Sequence, residues 1–313
     1  MAKSNVNTNQ DKLESAIDKG VNKFLKKIPG MENDIFRTLL SQLKDLKLTT
    51  DGQIKQTVQN LRKADQVRRT VEQIVLNPDY EKNVEQFLGT YNEVEQINTG
   101  YLKTIEKTFD PSDIRYQYLK DTSVELMVNS LTEQGVAENV IKPIQDVIRT
   151  SVTDGMFFDD MVDALRKNVK GDKEVMGLMQ RYASQIMWDG VQEYNRNYSY
   201  TFAQGEDKEW FRYTSGLVRD SRDYCRRRQG RYFHRKEIED VPSAQWSGKK
   251  KGTNSSTIFK YCGGYNCKHH YQPVLIDIVP KEVILRNIKN GNFSPKGKDK
   301  KEVEKIIGEK IAA

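Results

Sequence analysis

No apolar run in the chain approaches the ~20 residues that a bilayer crossing needs. Its opening, Met1-Ala2-Lys3-Ser4-Asn5, is polar where a secretory signal is apolar. Both absences point to a protein that folds in a cytosol and has no membrane partner. Cysteine is scarce too: three among 313 residues, an odd number, which suits a reducing compartment and argues against a disulfide framework. The sequence also lacks a phosphate-cradling glycine loop with its lysine, a nucleophile elbow and a His-Glu-x-x-His pair. No catalytic residues are assigned, and the expectation is a protein that is not an enzyme.

Hydrophobic residues make up only 36% of the chain and charged residues 30%, which favours an elongated, surface-rich shape over one tight globule. The charge is uneven. From Gly205 onward there are 24 Lys/Arg against 14 Asp/Glu, leaving 27 against 30 in residues 1–204. Only the C-terminal third is basic, so only there does the surface attract phosphates or acidic partners, although a solvated lysine face accounts for such a bias equally well.

Residues 1–204 read as helix after helix. Ile35, Phe36, Leu39, Leu40, Leu43 and Leu46 recur at helical spacing up to a break at Thr49-Thr50-Asp51-Gly52. Ile54, Val58, Leu61, Ala64, Val67, Val71 and Ile74 form a second seam. After Asn77-Pro78 a third runs through Val84, Leu88, Tyr91, Val94, Ile97, Tyr101, Ile105 and Phe109. These seams predict a long helical hairpin near residues 52–109; two ordinary bundle helices fit the same spacing. Shorter amphipathic segments follow, and then a helix with Tyr182, Ile186, Tyr194, Tyr198 and Phe202 on one face. Aromatics at that spacing are packing residues far more often than stacking platforms for bases.

At Gly205 the character changes. Trp210–Thr214, Arg231–Phe233 and Pro273–Val279 read as strands, separated by loops dense in Gly, Ser, Asn and Lys. The expected fold is thus mainly α: a helical bundle or arm over residues 1–170, a long helix plus a small α+β domain over 171–280, and a charged tail over 281–313.

All three cysteines and all three histidines fall in the small domain: Cys225, His234, Cys262, Cys267, His269 and His270. Cys225, Cys262, Cys267 and one histidine match the donor set of a structural zinc, which can hold together a domain too small for its own core. Reduced thiols that pack as small apolar groups, beside surface histidines, match it as well. Arg226, Arg227, Arg228, Arg231, Lys249, Lys250 and Lys251 are candidates for contact with nucleic acid or a partner, with Tyr224, Tyr232 or Tyr265 stacking on bases.

The order Trp210, Arg219-Asp220-Ser221-Arg222-Asp223-Tyr224-Cys225, Gly230-Arg231-Tyr232-Phe233, Cys262-Gly263-Gly264-Tyr265-Asn266-Cys267-Lys268-His269 and Pro273-Val274 resembles the C-terminal module of Mu F-like phage head morphogenesis proteins. The resemblance covers roughly residues 175–280. Arg228 stands where many relatives complete a Cys-x-x-Cys, and Lys268 replaces their usual arginine. The resemblance singles out His269, which follows Cys267, as the histidine of the set, with His234 in reserve. It implies a minor head protein of a tailed bacteriophage, located in the virion and associated with the portal vertex. Its partners are then the portal protein, other head proteins and packaged DNA, and its role lies in head assembly or DNA packaging. The alternatives are a nucleic-acid-binding module with a zinc-stabilised domain and, with only Asp277 as an acidic neighbour of the His269-His270 pair, a metal-assisted nuclease.

Overall fold

The computed structural model describes residues 2–308. In chain order the first part comprises α1 (Ala2–Leu25), α2 (Ile28–Leu43), α3 (Val58–Val75), α4 (Pro78–Ile105) and α5 (Ile114–Leu131). A short α6 (Glu133–Val136) leads through a π-helical turn at Ala137–Ile141 into α7 (Lys142–Asp154), α8 (Phe158–Lys170) and α9 (Leu178–Gly205). The small domain follows as β1 (Trp210–Thr214), α10 (Asp223–Arg228), β2 (Tyr232–His234), α11 (Arg235–Glu239), α12 (Ile258–Tyr261) and β3 (His270–Pro273). The last described elements are α13 (Lys281–Lys289) and α14 (Gly297–Ile307). The protein is mainly helical, with one small antiparallel sheet in its C-terminal part, as the sequence pattern implies.

The chain forms two compact units that interleave in sequence: residues 18–90 with 124–188, and residues 1–17 with 91–123 and 189–313. In the first, α2 packs on α3 and α8, α3 on α7, and α7 on α8. Each helix supplies one apolar stripe with i, i+4 steps: Ile35, Leu39 and Leu43; Val67 and Val71; Ile144, Ile148 and Val152; Met161, Leu165 and Val169. The α3 seam therefore faces α2 and α7, and α3 is a bundle helix rather than the limb of a free-standing arm. Buried Asn60 ties the loop before α3, accepting from the Lys47 amide (3.0 Å) and donating to the carbonyls of Lys47 (2.9 Å) and Lys55 (2.8 Å). Buried Glu32 accepts from the Gln180 amide at 3.0 Å, placing a carboxylate at the positive end of α9.

In the second unit, residues 191–203 of α9 are covered on nearly every side. The aromatic stripe is packing: Tyr194 meets Tyr91 at 5.1 Å, Tyr198 meets Tyr116 at 4.7 Å and Phe202 meets Phe109 at 5.1 Å between ring centres. The sheet has the order β2-β1-β3, with Arg212 opposite both Tyr232 and Gln272. The third strand is His270–Pro273, earlier than the apolar run Pro273–Val279 predicts, and Ile276–Ile278 forms a 3-10 turn instead. All four β3 residues are buried, the polar His270 and Gln272 included, so the pattern does not announce a strand.

Where the sequence suggests a charged tail, the described residues form two packed helices. Val283, Ile284 and Asn287 of α13 and Val303 and Ile307 of α14 are buried, and Phe293 packs on Trp210 at 5.2 Å. Glu237 in α11 binds Arg286 at 2.7 Å and Asn287 at 2.9 Å. Lysines dominate the composition here, but the few apolar residues recur at helical spacing and find cover. Residues 309–313 of that tail lie outside the described part.

Helix α1 joins the sheet through side chains. Glu14 accepts from the Ser215 hydroxyl (2.5 Å), the Gly216 amide (3.3 Å) and Gln10 (2.6 Å), clamping a turn in which Ser215 has φ 125°. Burial raises the Glu14 carboxyl's pKa, but bonds from Ser215, Gln10 and Gly216 and the charge of Lys268 more than offset this and hold it below its ordinary value. An acid with a depressed folded pKa contributes stability above its unfolded value, ~4.3, and loses that contribution as pH falls through the folded one. Glu14→Ala should accordingly cost about 1.5 kcal/mol at pH 7. In urea denaturation the gap from wild type should narrow at pH 3; an equal gap at both pH values shows that Glu14 acts by packing alone.

Candidate metal centre

The central strand β1, helix α10 and the loop between α12 and β3 converge on one point. β1 directs Tyr213 inward, α10 carries Cys225, and the loop returns Cys262, Cys267 and His269 to the same place. One ligand atom each from Cys225, Cys267 and His269 lies within 4.8 Å of the others, and all three residues are buried. The Cys225 and Cys267 sulfurs are 3.9 Å apart, and Nδ1 of His269 is 3.8 Å from the Cys267 sulfur. Two thiolates sharing a tetrahedral zinc stand ~3.8 Å apart, and a thiolate and an imidazole nitrogen ~3.6 Å, given zinc bonds of about 2.3 and 2.05 Å. The observed separations are close to those edges and far from a disulfide. This group could therefore hold a metal ion, and its soft sulfur and imidazole donors suit zinc.

Cys262 lies just outside that set. Its thiol is buried, interacts with Cys267 and the Tyr213 hydroxyl, and sits on a backbone with φ 50°, a region L side chains rarely adopt. Gly263 next to it is required by close approach: a Cβ there would stand 2.7 Å from the Cys267 sulfur and 2.8 Å from that of Cys225. The Tyr213 hydroxyl donates to the Cys225 sulfur at 3.3 Å, while its ring stacks on His269 with centres 5.1 Å apart.

Protonation within the cluster is unequal. The thiols of Cys225 and Cys262, with help from His269 and Arg196, favour the thiolate at Cys267 and push it well below the ordinary cysteine range, against the effect of burial. Cys225 is pushed up by its bond to Cys267 and by burial, and Cys262 by burial and its bond to Cys267. Arg196, from α9, is wholly enclosed and donates to the main-chain carbonyls of His269 (3.0 Å), Lys260 (3.2 Å) and Cys267. Burial works against its charge, but Cys267, Cys262, Glu193 and Tyr213 raise its pKa above the ordinary arginine value.

The other histidines serve elsewhere. His270 is buried on β3 against Gln272 and the Thr214 hydroxyl, its pKa pushed down to about 4 by burial despite the Gln272 bond. His234 caps α11, accepting from the Lys236 amide at 3.3 Å, with its other nitrogen 3.5 Å from Glu209. The structure thus brings together Cys225, Cys267 and His269, sets Cys262 beside them, and leaves out the reserve histidine.

The basic candidates divide. Lys250 is folded inward onto Asp189 (3.1 Å) and Glu193 (2.5 Å), and Lys249 donates to the carbonyls of Pro242 (2.6 Å) and Ala244 (3.0 Å). Arg226 binds the Ser221 carbonyl at 2.8 Å, and Arg228 lies 3.9 Å over the Tyr224 ring. Arg226 itself, Arg227, Arg231 and Lys251 are exposed. Tyr224 is buried and bonded to the Tyr271 hydroxyl at 2.7 Å, Tyr232 is buried, and Tyr265 alone of the three stacking candidates is exposed. Sequence reasoning missed Tyr213, Gly263 and Arg196; the one signal for Arg196 was a charged residue between Tyr194 and Tyr198 in an aromatic stripe. Comparison of the chain with protein-family models, curated proteins and solved structures finds no match.

Two outcomes follow from this packing. Gly263→Ala should lower stability by about 1–3 kcal/mol, the usual cost of overpacking, with the loss seen in thermal unfolding followed by tryptophan fluorescence. Lys250→Met should cost on the order of 2 kcal/mol by removing the half-buried cation that Asp189 and Glu193 share, whereas Lys251→Met should stay within about 0.5 kcal/mol of wild type. Equal melting temperatures for the two lysine variants would contradict the inward role of Lys250.

Proposed function

We propose that the chain is a minor head protein of a tailed bacteriophage, made in the host cytoplasm, associated with the portal vertex of the virion and acting without catalysis in head assembly or DNA packaging and passage. The observation that carries this reading is how the Mu F-like signature folds. Its pieces are scattered over about seventy residues, yet Tyr224, Cys225, Cys262 and Cys267 join Phe211, Tyr213, Phe259 and Tyr271 in one buried cluster, with Phe233 packed against it. Sequence elements that share a core act as one unit, which supports treating the resemblance as that of a module rather than of separate matches.

In the same reading the cluster holds a structural zinc through Cys225, Cys267 and His269. Burial of all three residues favours a closed structural site over an open catalytic one. Zinc supplies cross-linking between α10 and the loop before β3; the chain supplies the cradle, with Gly263 allowing the sulfurs in and Tyr213 packing on the imidazole. A free-standing nucleic-acid module has less support, because Arg228, Lys249 and Lys250 are engaged within the protein. Exposed Arg227, Arg231 and Lys251 still suit a neighbourhood crowded with DNA phosphates.

Deleting the gene should leave heads that are malformed, empty or non-infectious, and the purified protein should associate with portal or procapsid. Normal yields of infectious particles without it refute an essential role in assembly. For the metal, purified protein should carry one zinc per chain by elemental analysis, and Cys267→Ser should unfold residues 210–280 while preserving the far-ultraviolet helical signal. Wild-type protein that stays metal-free in excess zinc removes the zinc assignment without touching the assembly role.

A further inference from the structure

A guanidinium buried in the middle of a helix is expensive unless negative charge lies nearby. Among the described residues, Arg196 donates to neutral carbonyls, those of Lys260, Cys267 and His269. Glu193, the acidic group that acts on it through space, is already engaged by Lys250 at 2.5 Å and Lys260 at 3.6 Å. Arg196 donates to the carbonyl of Cys267 itself, so the buried sulfur of Cys267, and that of Cys262 which meets it, are the remaining sources of negative charge beside the guanidinium.

The charge balance distinguishes two ligand sets. A divalent ion held by the thiolates of Cys225 and Cys267 and a neutral His269 is neutral overall and leaves Arg196 uncompensated. Adding the Cys262 thiolate makes the centre singly negative, and Arg196 neutralises it. Local structure agrees. Cys262 is kept on an unfavourable backbone at φ 50°, its thiol already meets Cys267, and the adjoining Gly263 has no side chain because the sulfurs occupy that space. Arg196 also grips both ends of the segment that carries these groups, from Lys260 to His269.

Building on the zinc reading above, we propose that Arg196 is the buried counter-cation of an anionic centre whose fourth ligand is Cys262, so that the occupied site has three thiolates, one imidazole and a guanidinium that cancels its net charge. Arg196 is a positioning residue: it touches the loop that carries the ligands and compensates the charge, but does not bind the ion.

Cobalt(II) added to the metal-free full chain tests the ligand assignment, because the sulfur-to-cobalt charge-transfer band grows with the number of thiolates. Cys262→Ser should lower that band by about a third, as one thiolate of three is lost, and Cys225→Ser should lower it equally. An undiminished band in Cys262→Ser overturns the proposal and leaves the metal reading intact. No band in the wild type overturns the metal reading, and this proposal with it.

The role of Arg196 is read from the rate at which a chelator strips zinc from the loaded, folded protein. Arg196→Gln should speed the loss ~10- to 100-fold, the usual effect of removing an outer support of a metal ligand. Arg196→Lys, which keeps the charge but not the planar fork, should lie closer to wild type. Equal acceleration in both shows that Arg196 only anchors carbonyls and overturns the counter-cation assignment. Cys262→Ser combined with Arg196→Gln gives a further readout: charge compensation requires the pair to lose zinc more slowly than the product of the single effects, since the double variant is again neutral. Strictly multiplicative rates overturn it.

Discussion

The enclosure of Arg196 is the constraint on which the small domain's arrangement turns. A cation with no access to water needs its donors met, and here they reach one short segment through the carbonyls of residues 260, 267 and 269. That segment is otherwise a glycine-containing loop with little regular structure. Tied to the rigid α9, it brings Cys262, Cys267 and His269 to the place where α10 delivers Cys225. Elsewhere on α9, Tyr194, Tyr198 and Phe202 have already found their cover among other rings, so the guanidinium sits where the helix has no freedom to turn it outward.

The same helix links packing to charge along the face that carries Arg196, where Asp189 and Glu193 precede it at i, i+4 and i+7 spacing. Asp189 accepts from the Asn266 amide at 2.9 Å and, with Glu193, holds Lys250. The lysine-rich loop is thus fastened to the helix that also fastens the cysteine loop. A positive run that looks like a phosphate-binding strip is in good part the internal wiring of the domain. Of the candidate residues, Arg226, Arg227, Arg231, Lys251 and Tyr265 remain exposed, which favours an anionic surrounding.

Closed geometry bears on mechanism as much as on stability. Sulfurs and imidazole are all buried, Tyr213 lies along the ring of His269, and Gly263 leaves no room between loop and sulfurs. A buried donor set of this kind is placed to hold segments together rather than to expose a reactive position, in keeping with the assembly role proposed above.

Helical class was legible from the periodicity of Ile35 to Phe109, because a buried stripe forces apolar residues to recur every three or four positions whatever the partner. Strands at Trp210 and Tyr232 were legible for the same kind of reason, and the cysteine and histidine cluster could be found by residue type alone. The strand at His270–Pro273 was not, since its buried polar residues break the apolar pattern. Nor was the ordered tail, whose lysines mask a few well-spaced apolar side chains. His269 was singled out by its place after Cys267, but which lysine turns inward, why Arg196 is enclosed and why Gly263 must be bare depend on elements distant in sequence. These were settled only when α9, β1 and the Cys262–His269 loop met, because charge compensation and close approach act through space and leave no periodic mark along the chain.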